Sequence, residues 1–172
     1  MITPFYLFER NIQKVIAYHG TNNKFEKFDY SYIGVGKDVY GPGFYFVNSY
    51  EFADKHGSPG KYELTLDKYI KSGKKSSKSD LSKLIRWAPN YKDFLSNFSE
   101  NEQESLNMAI DSYLRYDQID AFLSIWQNIY EKRGNSRNFV ENLVKLGYDG
   151  YIVEEDGYTL YIMYNIENIK KL

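Results

Sequence analysis

Cysteine is absent from the 172 residues, and histidine occurs only twice, as His19 and His56. A disulfide framework and thiolate chemistry are thereby excluded, and a zinc centre would have to be built largely from carboxylates, so no metal is expected. An excess of charge of one sign is missing too: 22 Lys and Arg stand against 23 Asp and Glu, for a formal net charge of -1. That balance supplies no global field to gather nucleic acid or anionic lipid. No apolar run approaches the length of a membrane span, and in MITPFYLFERN the glutamate Glu9 follows too closely on a few apolar residues for a signal-peptide core. The expectation is a soluble, cytoplasmic protein with no membrane contact, whose partners must be read from a local site.

What is present falls into three zones by the period of the apolar residues. From residue 12 to about 70 the chain is β-rich and punctuated by glycine. IQKVIAYH reads as a strand, a loop runs through Asn22, Asn23 and FEKFDYSYIGVGKD, and GFYFV reads as a second, buried strand. SYEFADKHG suits a short helix that Ser49 caps and Gly57 ends. Pro59-Gly60 is expected to turn the chain into KYELTLDKYI, whose alternation marks a half-exposed strand.

The polar connector KSGKKSSKSD is expected to lack regular structure. Helical spacing follows up to Gly147, with one stripe through Leu106, Ala109, Ile110, Tyr113 and Leu114, and another through Ile119, Phe122, Leu123, Trp126 and Tyr130. Phe139, Val140, Leu143 and Val144 form the third. The last zone returns to strands: Asp156-Gly157 suits a type I′ hairpin turn, and YTLYIMY is apolar on both faces, as befits a strand interior to its sheet. No internal repeat is evident, and a single domain is expected.

The glycine-rich segments fail as phosphate loops of the common kinds. Gly34 and Gly36 lack the third glycine of a dinucleotide fold, where Val39 stands, and no βαβ unit follows. Gly36 and Gly41 have Walker spacing, yet Pro42 and Gly43 occupy the positions of its Lys and Ser or Thr. What remains is the pair VIAYHGT and YGPGFYF. A glycine after His19 lets a planar amide pair with bare backbone at Gly20, and Tyr45 offers a ring face to stack on it. His19 is placed to hydrogen-bond a sugar hydroxyl, with Thr21 expected to lock the imidazole. The second His-Gly pair, His56-Gly57, is explained by the end of a helix.

YHGT, then F-x-x-F-D, YGPGFYF, LGYDGYIV and the ending YIMYNIENIKKL together resemble the ADP-ribosyltransferases of the poly(ADP-ribose) polymerase and diphtheria-toxin branch, in particular the small bacterial and phage members. The likeness spans about residues 14–66 and 139–172. It implies an α+β fold, a split β-sandwich around an NAD cleft, here with a helical insertion at about 80–147. It further implies that His19 holds a ribose hydroxyl of NAD, Gly20 pairs with the nicotinamide carboxamide, Thr21 stands at the family's Ser or Thr, and Tyr45 stacks on nicotinamide. Tyr40 falls in the loop that closes the pocket.

One position departs from the family pattern. Where many members have a glutamate opening the last strand, this chain has Leu160. A two-residue turn at Asp156-Gly157 pairs Val153 with Leu160 and Glu155 with Tyr158, so Glu155 shares the Leu160 face and is the candidate acid, while Glu154 faces the other way. Without that glutamate the resemblance implies transfer of single ADP-ribose units. The expected function is a mono-ADP-ribosyltransferase that consumes NAD without a metal and modifies a macromolecule, protein in preference to nucleic acid, as a phage or toxin effector. The alternative is a catalytically inactive NAD or ADP-ribose-binding protein.

Overall fold

A computed structural model describes residues 12–35 and 38–172. MITPFYLFERN and Gly36, both weighed above, lie outside the described residues. Strand β1 (Gln13–Thr21) does not stop at His19 but runs on to Thr21. It pairs throughout with β3 (Ser58–Leu66), so that His19 faces Gly60, Gly20 faces Pro59 and Thr21 faces Ser58. Pro59-Gly60 is therefore not a turn. A proline is accepted in a ladder where its missing N–H is not called upon, and that is the position Pro59 takes.

KYELTLDKYI is likewise broken in two. Asp149 accepts the amides of Asp67 and Lys68 on Oδ2, at 2.8 and 3.2 Å, and the chain bends there. Beyond the bend β4 (Tyr69–Ile70) pairs in parallel with β5 (Gly150–Glu155). With β2 (Phe44–Val47), β6 (Tyr158–Met163) and β7 (Ile169–Lys171), the described residues form one sheet in the order β4-β5-β6-β2-β1-β3-β7. β6 is interior, as its two apolar faces require. The β5–β6 register matches the two-residue turn, with Val153 opposite Leu160 and Glu155 opposite Tyr158. The turn is not of type I′, however: Gly157 has φ 90° and Asp156 is not left-handed, so glycine alone takes the positive φ.

The junction of β1 with β2 is the weakest seam of this sheet. Tyr18 opposite Val47 is its one paired position, and beyond it the two strands part. The sheet thus has two halves, β4-β5-β6-β2 and β1-β3-β7, joined at a point.

Helix α1 (Tyr50–Asp54) starts where Ser49 Oγ accepts the Phe52 amide at 3.2 Å. Helix α2 (Lys78–Arg86) begins inside the connector expected to be irregular, because Ser77 caps it and Asp80 adds negative charge to its first turn. α3 (Tyr91–Leu95), α4 (Glu102–Tyr113), α5 (Gln118–Ile125) and α6 (Ser136–Lys145) follow. A π turn at Trp126–Tyr130 prolongs α5 and is held by side chains: Tyr130 donates to the Leu84 carbonyl and accepts from Asn142 Nδ2, and Trp126 Nε1 donates to Ser136 Oγ at 2.9 Å. The three stripes bury Leu106, Ala109, Phe122, Phe139 and Leu143 in the core that also holds Tyr151 and Ile162 of the sheet.

Candidate active site

The parting of β1 from β2 creates the site. In an antiparallel ladder both backbone groups of a residue point to the same neighbour, and the neighbour alternates along the strand. Pro59 has no N–H to give, so the ladder bonds next to it are those of His19 with Gly60 and Thr21 with Ser58. The N–H and C=O of Gly20 consequently point the other way, toward β2, just past the last pair at Tyr18 and Val47. They open on a cleft of about 530 Å³ lined by Gly20, Tyr45, Tyr40, Phe52, Asp38 and Leu160.

Gly20 is glycine for a second reason. A Cβ there would lie 1.8 Å from the carbonyl oxygen of Ala53, so α1 can sit on β1 only because the side chain is missing. The missing side chain that admits the helix also leaves the Gly20 backbone bare toward the cleft.

On the other face of the junction, His19 Nδ1 lies 2.7 Å from the Tyr45 carbonyl oxygen. A carbonyl only accepts, so Nδ1 carries the proton and Nε2 is left as an acceptor. The imidazole thus bridges the gap where the ladder has stopped. It is packed by the rings of Phe25, Phe28 and Phe46 at centroid distances of 5.8, 5.3 and 5.5 Å. These contacts give the F-x-x-F-D segment its role: it folds back beneath His19. Burial lowers the His19 pKa below 6.5, against the opposing effect of the Tyr45 carbonyl, and keeps the ring neutral at pH 7. Thr21 does not lock the imidazole as expected. Its Oγ1 accepts the Asn23 amide at 3.1 Å, and the Tyr45 carbonyl fixes His19 instead.

Tyr45 belongs to both sides. It lines the cleft beside Gly20 and also a second cleft of about 690 Å³ with His19, Thr21 and Phe28. Its hydroxyl donates to the Gly41 carbonyl at 2.5 Å and accepts the Tyr40 amide at 3.1 Å, so the phenol pins the loop that precedes its own strand. Burial raises its pKa well above 10, which keeps the phenol protonated and a hydrogen-bond donor. Tyr40 donates to Glu155 Oε1 at 2.7 Å, and that bond pushes its hydroxyl up to about 12. Glu155 is exposed and is tied to Tyr40, while Leu160, 5 % exposed, lies in the cleft wall.

A family model described as ADP-ribosyltransferase in polyvalent proteins matches residues 13–172. The chain belongs to this family. ADP-ribosyltransferases are transferases that take NAD as substrate. No curated protein matches the chain. A solved structure titled "Crystal structure of an anti-CRISPR protein" is similar over 92% of this chain and 96% of that one, at 13% identity and a TM-score of 0.38.

The backbone and clefts at this junction are compatible with the NAD that the family takes as substrate. Gly20 presents one donor and one acceptor side by side, as a carboxamide requires, and the two clefts meet at Tyr45, giving an extended ligand room on both sides of the junction. Four of the cleft residues were not legible as site residues. Phe52 and Tyr158 stack on each other at 4.4 Å, His56 follows α1 and lines the same cleft with its ring exposed, and Asp38 enters from the loop. The helix-end reading of His56 holds locally, since its amide donates to the Ala53 carbonyl and Gly57 has φ 128°. Among the described residues no group of three or more His, Asp or Glu could hold a metal ion, and no helix is long and apolar enough to cross a membrane.

Proposed function

We propose that this protein is a mono-ADP-ribosyltransferase that cleaves NAD, releases nicotinamide and transfers one ADP-ribose unit to a macromolecular target, protein in preference to nucleic acid. The observation that carries this reading is the wedge at the β1–β2 junction, with the Gly20 backbone on one side and the His19 imidazole on the other. Gly20 pairs with the carboxamide of nicotinamide, the Tyr45 ring stacks on the leaving group, and His19 Nε2 accepts a hydrogen bond from a ribose hydroxyl. Thr21 borders the ribose side. Tyr40, strapped to Glu155, closes the loop over the pocket. The sheet's near-division at that junction supports the split β-sandwich.

Leu160 supports transfer of single units, since no carboxylate stands at that position of β6 to activate a second ribose for chain growth. Glu155, the candidate acid from sequence, reaches the cleft through Tyr40. In this reading the protein acts as a phage or toxin effector in a host cytoplasm, and no metal takes part.

The second reading, a protein that binds NAD or ADP-ribose without turning it over, is favoured by one observation: an apolar residue occupies the glutamate position. The purified protein is incubated with NAD labelled in its adenylate half and a host lysate. Label on a discrete product supports the transferase. Thermal protection by NAD without nicotinamide release supports the binding protein. If millimolar NAD neither protects nor is consumed, the site itself is refuted.

A further inference from the structure

Leu160 leaves its position in β6 without a carboxylate, and the Glu155 carboxylate is exposed and occupied by the Tyr40 hydroxyl at 2.7 Å. Another carboxylate lines the cleft itself. Asp38 enters it from the loop before β2, together with Gly20, Tyr45 and Leu160. Its place is built by the fold: its carbonyl accepts the Gly41 amide at 3.1 Å, and the Tyr45 hydroxyl binds both Gly41 and Tyr40 in the same turn. The loop that Tyr45 pins is thus also the loop that presents Asp38.

The surroundings suit a proton acceptor. The side chain is half-buried, and Leu160, Val47 and Phe52 give the cleft it lines an apolar wall. Burial, helped by the negative charge of Glu131, pushes the Asp38 carboxyl up to about 6. A base of that strength is ionised at pH 7 and still takes a proton readily. The titratable groups that interact with it are Glu131 and the hydroxyls of Tyr45 and Tyr151, and Tyr18, Tyr40, His56 and Tyr158 line the same cleft. The Tyr151 hydroxyl is buried without a partner beneath Gly41, a donor held on the Asp38 side of the cleft.

We propose that Asp38 is the general base of the transfer, taking the part that Leu160 leaves open; this rests on the NAD-cleaving reading above. The bond from C1′ of the ribose to the nicotinamide nitrogen breaks, and its electron pair leaves with nicotinamide. The acceptor's oxygen or nitrogen forms the new bond to C1′, and the proton it sheds passes to the Asp38 carboxylate. With water as acceptor the same steps yield free ADP-ribose.

The test uses the full chain, with nicotinamide release from NAD followed against pH and NAD affinity measured by calorimetry. Asp38→Asn keeps the side chain's shape, so it is expected to fold and to bind NAD as the parent does. Its nicotinamide release should fall about 100- to 10,000-fold. The inflection near 6 in the acidic limb of the parent profile should vanish with it, leaving only the fall that protonation of His19 imposes. Glu154→Gln, on the opposite face of β5, should behave as the parent. Parent-like turnover by Asp38→Asn, or an equal loss of affinity and rate, overturns the assignment. So does an inflection near 6 that survives in Asp38→Asn and disappears in Glu155→Gln. A parent that fails to bind NAD at millimolar concentration instead overturns the reading beneath it, an outcome recognised from the parent alone.

Discussion

Replacing Gly20 by alanine would set a Cβ 1.8 Å from the Ala53 carbonyl oxygen, where ordinary contact begins at 3.4 Å. Helix α1 would have to withdraw by about 1.6 Å, the difference between those two distances. The obstacle is backbone, not the tip of a flexible side chain, so no rotamer change relieves it. Overpacking of a well-filled contact costs about 1–3 kcal/mol, and the retreat also uncovers Ala53, which is 2 % exposed, so a value near the top of that range, about 2–3 kcal/mol, is expected. In a chain of this length each kcal/mol moves the melting temperature by about 2–4 °C, which gives a fall of about 4–12 °C by circular dichroism. Added Ala53→Gly should not rescue the variant, because the blocking oxygen remains. NAD-induced stabilisation should weaken as well, since the Gly20 amide and the Phe52 ring move apart. A Gly20→Ala melting temperature within about 1 °C of the parent would refute the close packing of α1 on β1 and the double role assigned to this glycine.

Tyr45→Phe keeps the ring but removes the hydroxyl that holds Gly41 and Tyr40. It should cost about 1–2 kcal/mol in stability, and it should weaken NAD binding by loosening the loop, both readable in one NAD titration of the melting temperature. His19 should make stability pH-dependent: its folded pKa lies below 6.5, so its contribution is complete above 6.5 and is lost as pH falls toward the folded value. Asp38 works in the opposite sense, its folded value near 6 adding stability as pH falls from there toward 3.8. The test is therefore the difference between parent and His19→Gln across pH 4 to 7.5, and a pH-independent difference would contradict a buried neutral imidazole. Asp149→Ala removes the carboxylate that accepts the Asp67 and Lys68 amides and Asn168 Nδ2 at 2.7 Å. A loss of about 3 kcal/mol in denaturant titration is expected, and a loss under about 1 kcal/mol would show that water replaces those bonds at no cost.

Much of the sheet is legible in the sequence. The β5–β6 hairpin, its register and the interior place of β6 follow from alternation and a two-residue turn, both local features. The α1 cap at Ser49 and the three helical stripes are legible for the same reason. Pro59-Gly60 misled because turn chemistry is judged within a few residues, whereas the fate of this dipeptide was decided by a partner strand, β1. The sequence pattern also marked His19 and Tyr45 without their true link. It suggested two rings gripping a ligand, and the structure adds an imidazole bound to a backbone carbonyl, an acceptor present at every residue and therefore invisible in a pattern of side chains.

Asp38, Phe52, His56 and Tyr158 escaped because they reach the cleft from a loop, from α1 and its end, and from a hairpin, with no spacing between them that a period could reveal. By itself the sequence determined the strand and helix segments, the register of the last hairpin and the residues bearing the family's two motifs, since each depends on neighbours a few positions away. Only the tertiary structure decided that β1 and β2 part after one pair, that Gly20 turns its backbone into the gap, and that Asp38 lies in the cleft while Glu155 is held by Tyr40. Those facts depend on elements far apart in the chain, and for Gly20 the partner strand is decisive, since Pro59 opposite it has no N–H to donate.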